Sequence, residues 1–291
     1  MTTLTSSPAA SPRASLVHFW DFDSQWGADR SRIPPAGPKT WGSLDFDATD
    51  RLLELHARFE VPACFAVVGA VALPGKRPYH DALQIRRIHE AGHEIASHSF
   101  RHEWLPGLNR LSLLETLRRS RESLEQCIGA PVVSFVPPFN QPFDYAKVGS
   151  ISLSERREAG TSRTTLQRLC DALHETGYRF CRVAYRPLHI RIAEWVSGRR
   201  LDRPGRLEKI AGITCARLNT PTGFQEDAVD MVNRCAERGG LVVVCGHPHA
   251  LWSGTKQDER WLIPFLGRVH ELQKAGHLRV CRPSELLNGS H

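Results

Sequence analysis

The feature that most constrains this chain is the regular alternation of short apolar segments with amphipathic segments of helical period. The strand-like segments are residues 15–23, 61–69, 93–98, 132–136, 178–185, 212–219, 241–245 and 277–281. Between most of them lie helical patterns at residues 47–59, 81–92, 112–128, 165–176, 225–238 and 258–275. Repeated strand–helix units predict parallel strands with the helices outside. With about seven units and no glycine-rich phosphate loop, a barrel is favoured over a dinucleotide-binding sheet.

Length and patterning favour a single domain. The chain has 291 residues, of which 41% are hydrophobic and 24% charged, so it can bury one large core. We expect a disordered tail over residues 1–15, which are rich in Ser, Thr, Ala and Pro and lack the apolar core of a signal peptide. We expect residues 16–291 to form a single domain. Asp47 and the Ser112-x-x-Glu115 box are the predicted N-terminal caps of two helices.

Net charge limits the kinds of partner that the chain can be expected to bind, and cysteine content indicates its cellular location. The net charge of +7 fits either attraction to acidic substrates or a composition bias without function. The arginines are scattered, which argues against nucleic-acid binding, and no apolar run reaches the length of about 18 residues that a membrane span needs. Eight cysteines without a CxxC pair indicate a reducing compartment, so we expect a cytoplasmic location.

Candidate functional residues collect where the predicted strands end. In parallel α/β proteins the working side chains lie at the carboxyl ends of the strands. The first strand ends in "WDFD", with Asp21 and Asp23 on one face because side chains alternate along a strand. The third ends in "SHSFRH", the fourth in "VPPFN" and the 241–245 strand in "CGHPHAL".

These strand ends offer the ligands of a divalent metal. Two imidazoles four residues apart, His98 and His102, suit a metal when a carboxylate completes the set. The second carboxylate could act as a base, and a late histidine, His247 or His249, as an acid. Each motif has an ordinary explanation as well, since aspartates are common in turns and histidines on surfaces, so their joint placement carries the hypothesis.

The arrangement resembles the polysaccharide deacetylase family, also described as the NodB homology domain or carbohydrate esterase family 4. The most specific match is "AGHEIASHSFRHEWL" at residues 91–105, which is similar to the His-Ser/Thr-x-x-His motif of that family with its preceding Gly-His-Glu. The resemblance runs from about Leu16 to the end of the chain. It implies a distorted (β/α)7 barrel and the metal-dependent hydrolysis of an N-acyl group.

The resemblance also implies roles for individual residues. Asp21 resembles the catalytic base, and Asp23, His98 and His102 resemble the ligands of one divalent ion, with Zn²⁺ expected and Co²⁺, Ni²⁺ or Fe²⁺ as alternatives. His247 resembles the general acid, with His249 as the competing candidate for that role. The backbone N–H of Phe139 would help to hold the oxyanion.

Two departures from the family pattern concern these motifs. Phe22 separates the two aspartates, which are usually adjacent, and Val136 stands where an arginine usually tunes the base. Another arginine could substitute for it. Around the motifs, Trp26, Asn140 and His249 are candidate substrate contacts, and Ser99 either binds substrate or braces His98; packing is the alternative for Trp26.

The hypothesis favoured by these residues is a metal-dependent hydrolase. It would remove an acetyl or formyl group from an amino sugar or a related small or lipid-linked molecule. Two alternatives stay open: an allantoinase-like hydrolase of cyclic amides on the same fold, and an inactive carbohydrate-binding barrel. The expected partner is a small-molecule or carbohydrate substrate. The sequence leaves the exact substrate, the metal and the oligomeric state open, and a homo-oligomer is one option.

Overall fold

The computed structural model describes residues 14–31, 39–143, 163–186, 188–197 and 205–287. The predicted N-terminal tail lies almost wholly outside these residues, as do parts of the polar stretches after residues 143 and 197. Within the described residues no helix is long and apolar enough to cross a membrane.

Nine strands and eight α-helices are found among these residues. The strands are β1 (Ala14–Phe22), β2 (Cys64–Val67), β3 (Glu94–Ser97), β4 (Ser134–Phe135), β5 (Phe180–Val183), β6 (Glu208–Ile210), β7 (Ile213–Arg217), β8 (Gly240–Gly246) and β9 (Arg279–Val280). The helices are α1 (Ser24–Arg30), α2 (Leu44–Phe59), α3 (Ala82–Glu90), α4 (Arg110–Ile128), α5 (Leu166–Glu175), α6 (Leu188–Val196), α7 (Glu226–Arg238) and α8 (Glu259–Lys274).

The strands form one sheet whose core is parallel, as the alternation predicts. Its order is β6-β7-β5-β4-β3-β2-β1-β8, and β9 pairs with the beginning of β1. The pair β6–β7 is antiparallel, and every other pair of strands is parallel. The carboxyl ends of seven parallel strands (β1, β2, β3, β4, β5, β7 and β8) therefore meet at one edge of the sheet, which we call the catalytic edge.

The sheet curls until its two ends meet. The Asn219 side chain, just after β7, donates from Nδ2 to the Leu241 carbonyl at 2.7 Å and accepts the Val243 N–H at 2.9 Å. Thr220 donates to the Val243 carbonyl at 2.8 Å, and Gly205 forms a bridge with Leu241. These contacts satisfy backbone groups of β8 that would otherwise lack a neighbouring strand. The predicted distorted (β/α)7 barrel is confirmed.

Side chains alternate along each strand, so that one set faces the barrel interior and the other set faces outward. The interior contains Val17 and Phe19 of β1, Phe180 of β5 and Val243 of β8, among other apolar residues. Phe19 and Phe180 stack with their ring centroids 6.3 Å apart. Because alternate residues share a face, Asp21 and Arg182 follow Phe19 and Phe180 in the same inward direction. The strand pattern thus delivers these two charged residues to the catalytic edge.

Two helices begin earlier than the sequence predicted. Helix α2 follows directly from a 3-10 turn, so it begins at Leu44 without a side-chain cap, and the prediction of Asp47 as cap was wrong. Helix α4 begins at Arg110, where Asn109 accepts the N–H of Ser112 at 3.0 Å, so the predicted Ser112 box does not cap it. Helices α1 and α6 and strand β6 were not predicted, because they are short, with seven, nine and three residues.

Three buried histidines lie close together: His18 in β1, His56 in α2, and His93 just before β3. His56 accepts the indole N–H of Trp20 at 2.8 Å, so its other nitrogen donates to the Val61 carbonyl at 2.7 Å and the ring is neutral. His93 accepts the N–H of Ala63. Neither nitrogen of His18 has a hydrogen-bond partner among the described residues. Burial lowers the pKa of His56 to about 3 and that of His93 to about 4, and it lowers the pKa of His18 well below its ordinary value.

We expect these histidines to make the fold acid-sensitive. Their pKa values are lower in the folded chain, so the unfolded chain binds more protons once the pH falls below about 6.5, and stability decreases down to about pH 4. Replacing His18 with Phe should reduce this slope by up to about 1.4 kcal/mol per pH unit. Urea unfolding measured at several pH values tests this. The exposed His277→Gln variant is the control, and an unchanged slope in His18→Phe would contradict the expectation.

Candidate active site

Asp23, His98 and His102 converge at the catalytic edge. Asp23 follows β1, and His98 follows β3. The Asp23 Oδ1 atom lies 3.3 Å from His98 Nε2 and 3.4 Å from His102 Nε2, and all three side chains are buried. Among the described residues this is the group of three His, Cys, Asp or Glu side chains whose ligand atoms are close enough to hold a metal ion.

The three residues fit a divalent metal. The Nδ1 atom of His98 is bound to the Val136 carbonyl at 2.7 Å, which orients its Nε2 atom toward Asp23. The buried Asp23 Oδ1 has no hydrogen-bond donor among the described residues. Such an unsatisfied carboxylate oxygen is costly unless it accepts a bond or binds a cation. Two imidazole nitrogens and one carboxylate oxygen are the ligand types that Zn²⁺ binds, with positions left open.

The loop that carries the two histidines is held by Ser99. Ser99 has a left-handed backbone with φ of 62°, and its carbonyl accepts the Gly69 N–H and the Ser120 hydroxyl, both at 2.9 Å. Its own hydroxyl accepts the Glu103 N–H at 3.1 Å. The side chain is fully buried and already bonded inside the loop. This geometry favours the bracing role over direct contact with a substrate.

Asp21 lies beside the candidate metal ligands and is paired with Arg182 of β5. The guanidinium donates from Nη1 to Oδ1 at 2.7 Å and from Nη2 to Oδ2 at 2.6 Å, and both side chains are buried. It also packs over the Phe19 ring at 5.2 Å and donates to Asn140 Oδ1 at 3.1 Å. Arg182 thus occupies the place beside the predicted base that Val136 leaves without an arginine.

These partners keep both aspartates ionised. Burial by itself would raise the pKa of Asp21, but Arg182, with smaller contributions from His98 and His247, holds the pKa below its ordinary value. Burial would likewise raise the pKa of Asp23, but His102 and His98 hold it well below the ordinary value. Asp21 is therefore a carboxylate over the whole working range of pH, as a base must be.

His247 lies beside Asp21, and His249 lies beside Asp45. His247 Nε2 is 4.0 Å from Asp21 Oδ2, and its Nδ1 lies 3.0 Å from Gln257 Oε1. His249 Nδ1 lies 3.0 Å from Oδ1 of the fully buried Asp45.

The surroundings of His249 favour its charged form. Its ring stacks on Trp41 at 3.7 Å between centroids. Burial alone would lower the pKa of His249, but the Asp45 carboxylate, with smaller contributions from Asp23 and Asp21, raises it above its ordinary value. The Asp45 carboxylate is also bonded to the backbone N–H groups of His249 and Ser24, at 2.8 and 2.7 Å.

The turn after β4 brings Phe139 and Asn140 to the site. Both have left-handed backbones, with φ of 56° and 54°, which is strained for residues other than glycine. The Phe139 ring packs on His102 at 4.6 Å, and its backbone N–H has no hydrogen-bond acceptor among the described residues. Asn140 is fixed through its Oδ1 by Arg182. The turn thus packs the Phe139 ring on a metal-ligand candidate and leaves the N–H of the same residue without an acceptor in the described part of the chain.

Trp26 lies at the rim and is engaged by its neighbours. Its indole N–H donates to the Tyr79 carbonyl at 3.1 Å, and its ring packs on Tyr79 at 5.1 Å. The Arg101 guanidinium lies over the ring at 5.2 Å. The geometry therefore favours packing over the predicted substrate contact.

Arg182 and Asp45 are the two residues of the site that the motifs did not indicate. A signal for Arg182 existed, because an arginine in the centre of the apolar strand "FCRV" must find a buried anionic partner. Asp45 gave no such signal, because an acidic residue in the first turn of a helix is ordinary.

Breaking the buried pair from the arginine side should be costly. We expect Arg182→Met to lower the free energy of unfolding by about 3–5 kcal/mol, because it leaves the Asp21 carboxylate buried without a cation. The Asp21→Asn/Arg182→Met double variant should be more stable than Arg182→Met alone. Denaturant unfolding measures both. Arg110→Met, which removes the exposed Arg110–Glu175 pair, should cost about 0–1 kcal/mol. An equal cost for the buried and exposed changes would contradict the expectation.

Comparison with known proteins points to one family. Residues 39–148 match the family model described as polysaccharide deacetylase. A search of curated proteins found no match. Among solved structures, the chain resembles a candidate polysaccharide deacetylase from Mycobacterium smegmatis with a TM-score of 0.65 and 18% identity, over 99% of this chain and 93% of that one. It also resembles a structure named Puue allantoinase with a TM-score of 0.61 and 15% identity, over 96% and 90% of the two chains.

The structural matches establish the fold, and the family model adds sequence support over the region that contains His98, His102 and Phe139. The resemblance to the polysaccharide deacetylase family, first seen in the strand-end motifs, is therefore confirmed.

Proposed function

We propose that this chain is a metal-dependent hydrolase that removes an N-acyl group, acetyl or formyl, from an amino sugar or a related small or lipid-linked molecule. The observation that carries the proposal is the convergence of Asp23, His98 and His102 on one point beside the ionised Asp21. The match of residues 39–148 to the deacetylase family model supports hydrolysis as the reaction class.

Asp23, His98 and His102 would hold one divalent ion, for which Zn²⁺ is the first candidate. When bound, such an ion supplies Lewis acidity to a water molecule and to the substrate carbonyl. The chain supplies the remaining functions: it removes a proton from the water, holds the oxyanion and protonates the leaving nitrogen.

Asp21 serves as the base. Its carboxylate takes a proton from the attacking water, and Arg182 fixes both of its oxygens in the plane of the guanidinium. Because each oxygen retains a lone pair, the bidentate contact orients the carboxylate without blocking it. The Phe139 N–H is free to donate to the oxyanion that forms at the former carbonyl.

His249 is the proton donor that the surroundings favour. A general acid must carry its proton before the reaction, and a carboxylate partner stabilises an imidazolium better than a neutral amide does. His249 has the Asp45 carboxylate as its partner, whereas His247 has the Gln257 amide oxygen. We therefore assign the donor role to His249 and keep His247, which the family motif suggests, as the alternative that experiment must separate.

The same geometry is compatible with a second substrate class. One of the structures that share the fold is named an allantoinase, and opening a cyclic amide requires the same base and acid. The presence of both Asp21 and Asp23 favours deacylation, because relatives of the allantoinase type often replace the first acidic motif. An inactive carbohydrate-binding barrel is the third candidate.

A cytoplasmic location remains part of the proposal. It is supported by eight cysteines that are all free, seven of them buried. A stable homo-oligomer is compatible with this proposal and is not required by it.

Metal analysis is the first test. We expect about one divalent ion per chain in the purified protein, because the three ligands form one site. The His98→Ala/His102→Ala variant should lose it. The His174→Ala/His277→Ala variant, which removes two exposed histidines, is the matched control and should keep it. Absence of metal from the wild type after reconstitution would contradict the proposal.

Substrate class is tested on the metal-loaded protein. N-acetyl and N-formyl amino sugars and cyclic amides are assayed side by side, with release of acetate, formate or a ring-opened product as the readout. We expect turnover of N-acyl substrates that falls by at least about a hundredfold in Asp21→Asn, because the base is lost. Turnover restricted to cyclic amides would favour the second candidate, and metal binding without any turnover would favour the inactive barrel.

The identity of the acid can be tested by changing the leaving group. We expect His249→Gln to lower kcat on an N-acyl amide by about a hundredfold or more. Activity on an aryl ester should fall much less, because a phenolate leaves without protonation. If His247→Gln, and not His249→Gln, lowers kcat on the amide far more than activity on the aryl ester, the acid is His247.

A pH profile gives an independent readout. The Asp45 carboxylate raises the pKa of His249, so Asp45→Asn should move the alkaline limb of kcat/KM to lower pH, where the donor loses its proton earlier. Asp47→Asn, which changes an exposed carboxylate on the same helix, should leave the limb in place. An unmoved limb in Asp45→Asn would exclude His249 as the titrating acid.

A further inference from the structure

Helix α6 turns its apolar face toward solvent. Leu188, Ile192, Trp195 and Val196 have the i, i+4, i+7, i+8 spacing of one helix face, and they are exposed by 52%, 49%, 64% and 74%. Ile190, on the opposite side of the helix, is the least exposed of its large apolar residues at 37%. We call these four residues the α6 stripe. An amphipathic helix normally buries such a face, so the α6 stripe is a surface built to meet something apolar.

The α6 stripe is located at the catalytic edge. Helix α6 begins six residues after Arg182, which binds Asp21, and six extended residues span at most about 21 Å. The Arg191 guanidinium packs on the Tyr185 ring at 5.3 Å, and the Tyr185 hydroxyl is bonded to the Thr220 carbonyl, which anchors the helix near the ends of β5 and β7. What the α6 stripe contacts therefore lies next to the mouth of the proposed active site.

Area argues against a second copy as the occupant. Helix α6 is nine residues long, or about 14 Å. Two such helices packed together would cover roughly a few hundred Å², whereas stable protein interfaces bury about 1,200–2,000 Å². A bilayer needs no such area, because each apolar side chain that enters the acyl region gains its own transfer free energy.

Charge argues for an anionic lipid surface. His189 and Arg191 border the α6 stripe on its two sides. The chain as a whole carries a net charge of +7. An apolar face that contains a tryptophan and is bordered by a cationic residue, here Arg191, is the pattern of helices that lie in the membrane interface.

We propose that α6 docks the catalytic edge onto an anionic membrane surface. This inference rests on the proposed function in one respect: it implies that the N-acyl substrate is an amphiphile whose acylated head group lies at that surface. The docking itself does not require catalysis, so the two proposals can fail separately.

The experiment is cosedimentation of the full-length, metal-loaded protein with vesicles. The probes are vesicles of phosphatidylcholine alone and mixed vesicles of phosphatidylcholine and phosphatidylglycerol. We expect the wild type to bind the mixed vesicles, and Ile192→Gln/Trp195→Gln to bind them at least about tenfold more weakly, because two inserted apolar side chains are lost. The Leu83→Gln/Leu111→Gln variant, which changes two exposed leucines on other helices, is the matched control and should bind like the wild type.

Three outcomes would overturn the proposal. The first is no binding of the wild type to the mixed vesicles. The second is equal binding by the wild type and the Ile192→Gln/Trp195→Gln variant, here called the α6 variant. The third is self-association in sedimentation velocity that the α6 variant abolishes, which would make a second copy the occupant. Hydrolysis of a small N-acyl substrate free in solution should be the same in the wild type and the α6 variant. If neither protein hydrolyses this substrate, the result counts against the proposed function and leaves the docking result standing.

Discussion

The buried ion pair between Arg182 and Asp21 is the interaction on which the site depends. It joins β5 to β1 across the interior of the barrel, although three strands separate them in the sheet. Two buried charges are stable only when the geometry of their contact is good. The bidentate contact provides that geometry, and the Phe19 ring and Asn140 add further contacts to the guanidinium, whose buried Nε has no hydrogen-bond partner among the described residues. The pair therefore closes the top of the apolar interior and at the same time orients the carboxylate that would act as the base in the proposed reaction.

Three carboxylates within one site have different environments, and those environments separate their roles. Asp21 faces a guanidinium, Asp23 faces two imidazoles, and Asp45 faces one imidazole and two backbone N–H groups. The guanidinium holds the pKa of Asp21 below its ordinary value, the imidazoles leave Asp23 Oδ1 without a hydrogen-bond donor among the described residues, and the Asp45 carboxylate raises the pKa of His249. Under the proposed function, similar side chains would thus serve as base, ligand and orienting group because their neighbours differ.

Asp45 also shows how the fold couples distant loops. Its Oδ2 accepts the N–H of Ser24, next to the metal-ligand candidate Asp23, and its Oδ1 accepts from His249, which follows β8. One buried carboxylate therefore connects the loop that follows β1 to the loop that follows β8. Helix α6, which begins six residues after Arg182, presents apolar side chains to solvent.

The sequence by itself determined the parallel barrel and the meeting of Asp21, Asp23, His98 and His102 at one edge. Both follow from local regularities, because strand period, helix period and strand ends can be read from neighbouring residues. The tertiary structure alone decided that Arg182 lies beside Asp21, where Val136 supplies no arginine, that Asp45 pairs with His249, and that the face of α6 is exposed. Those facts depend on how far the sheet curls and on which strands face each other across the barrel. The curl is determined jointly by residues that are far apart in the chain.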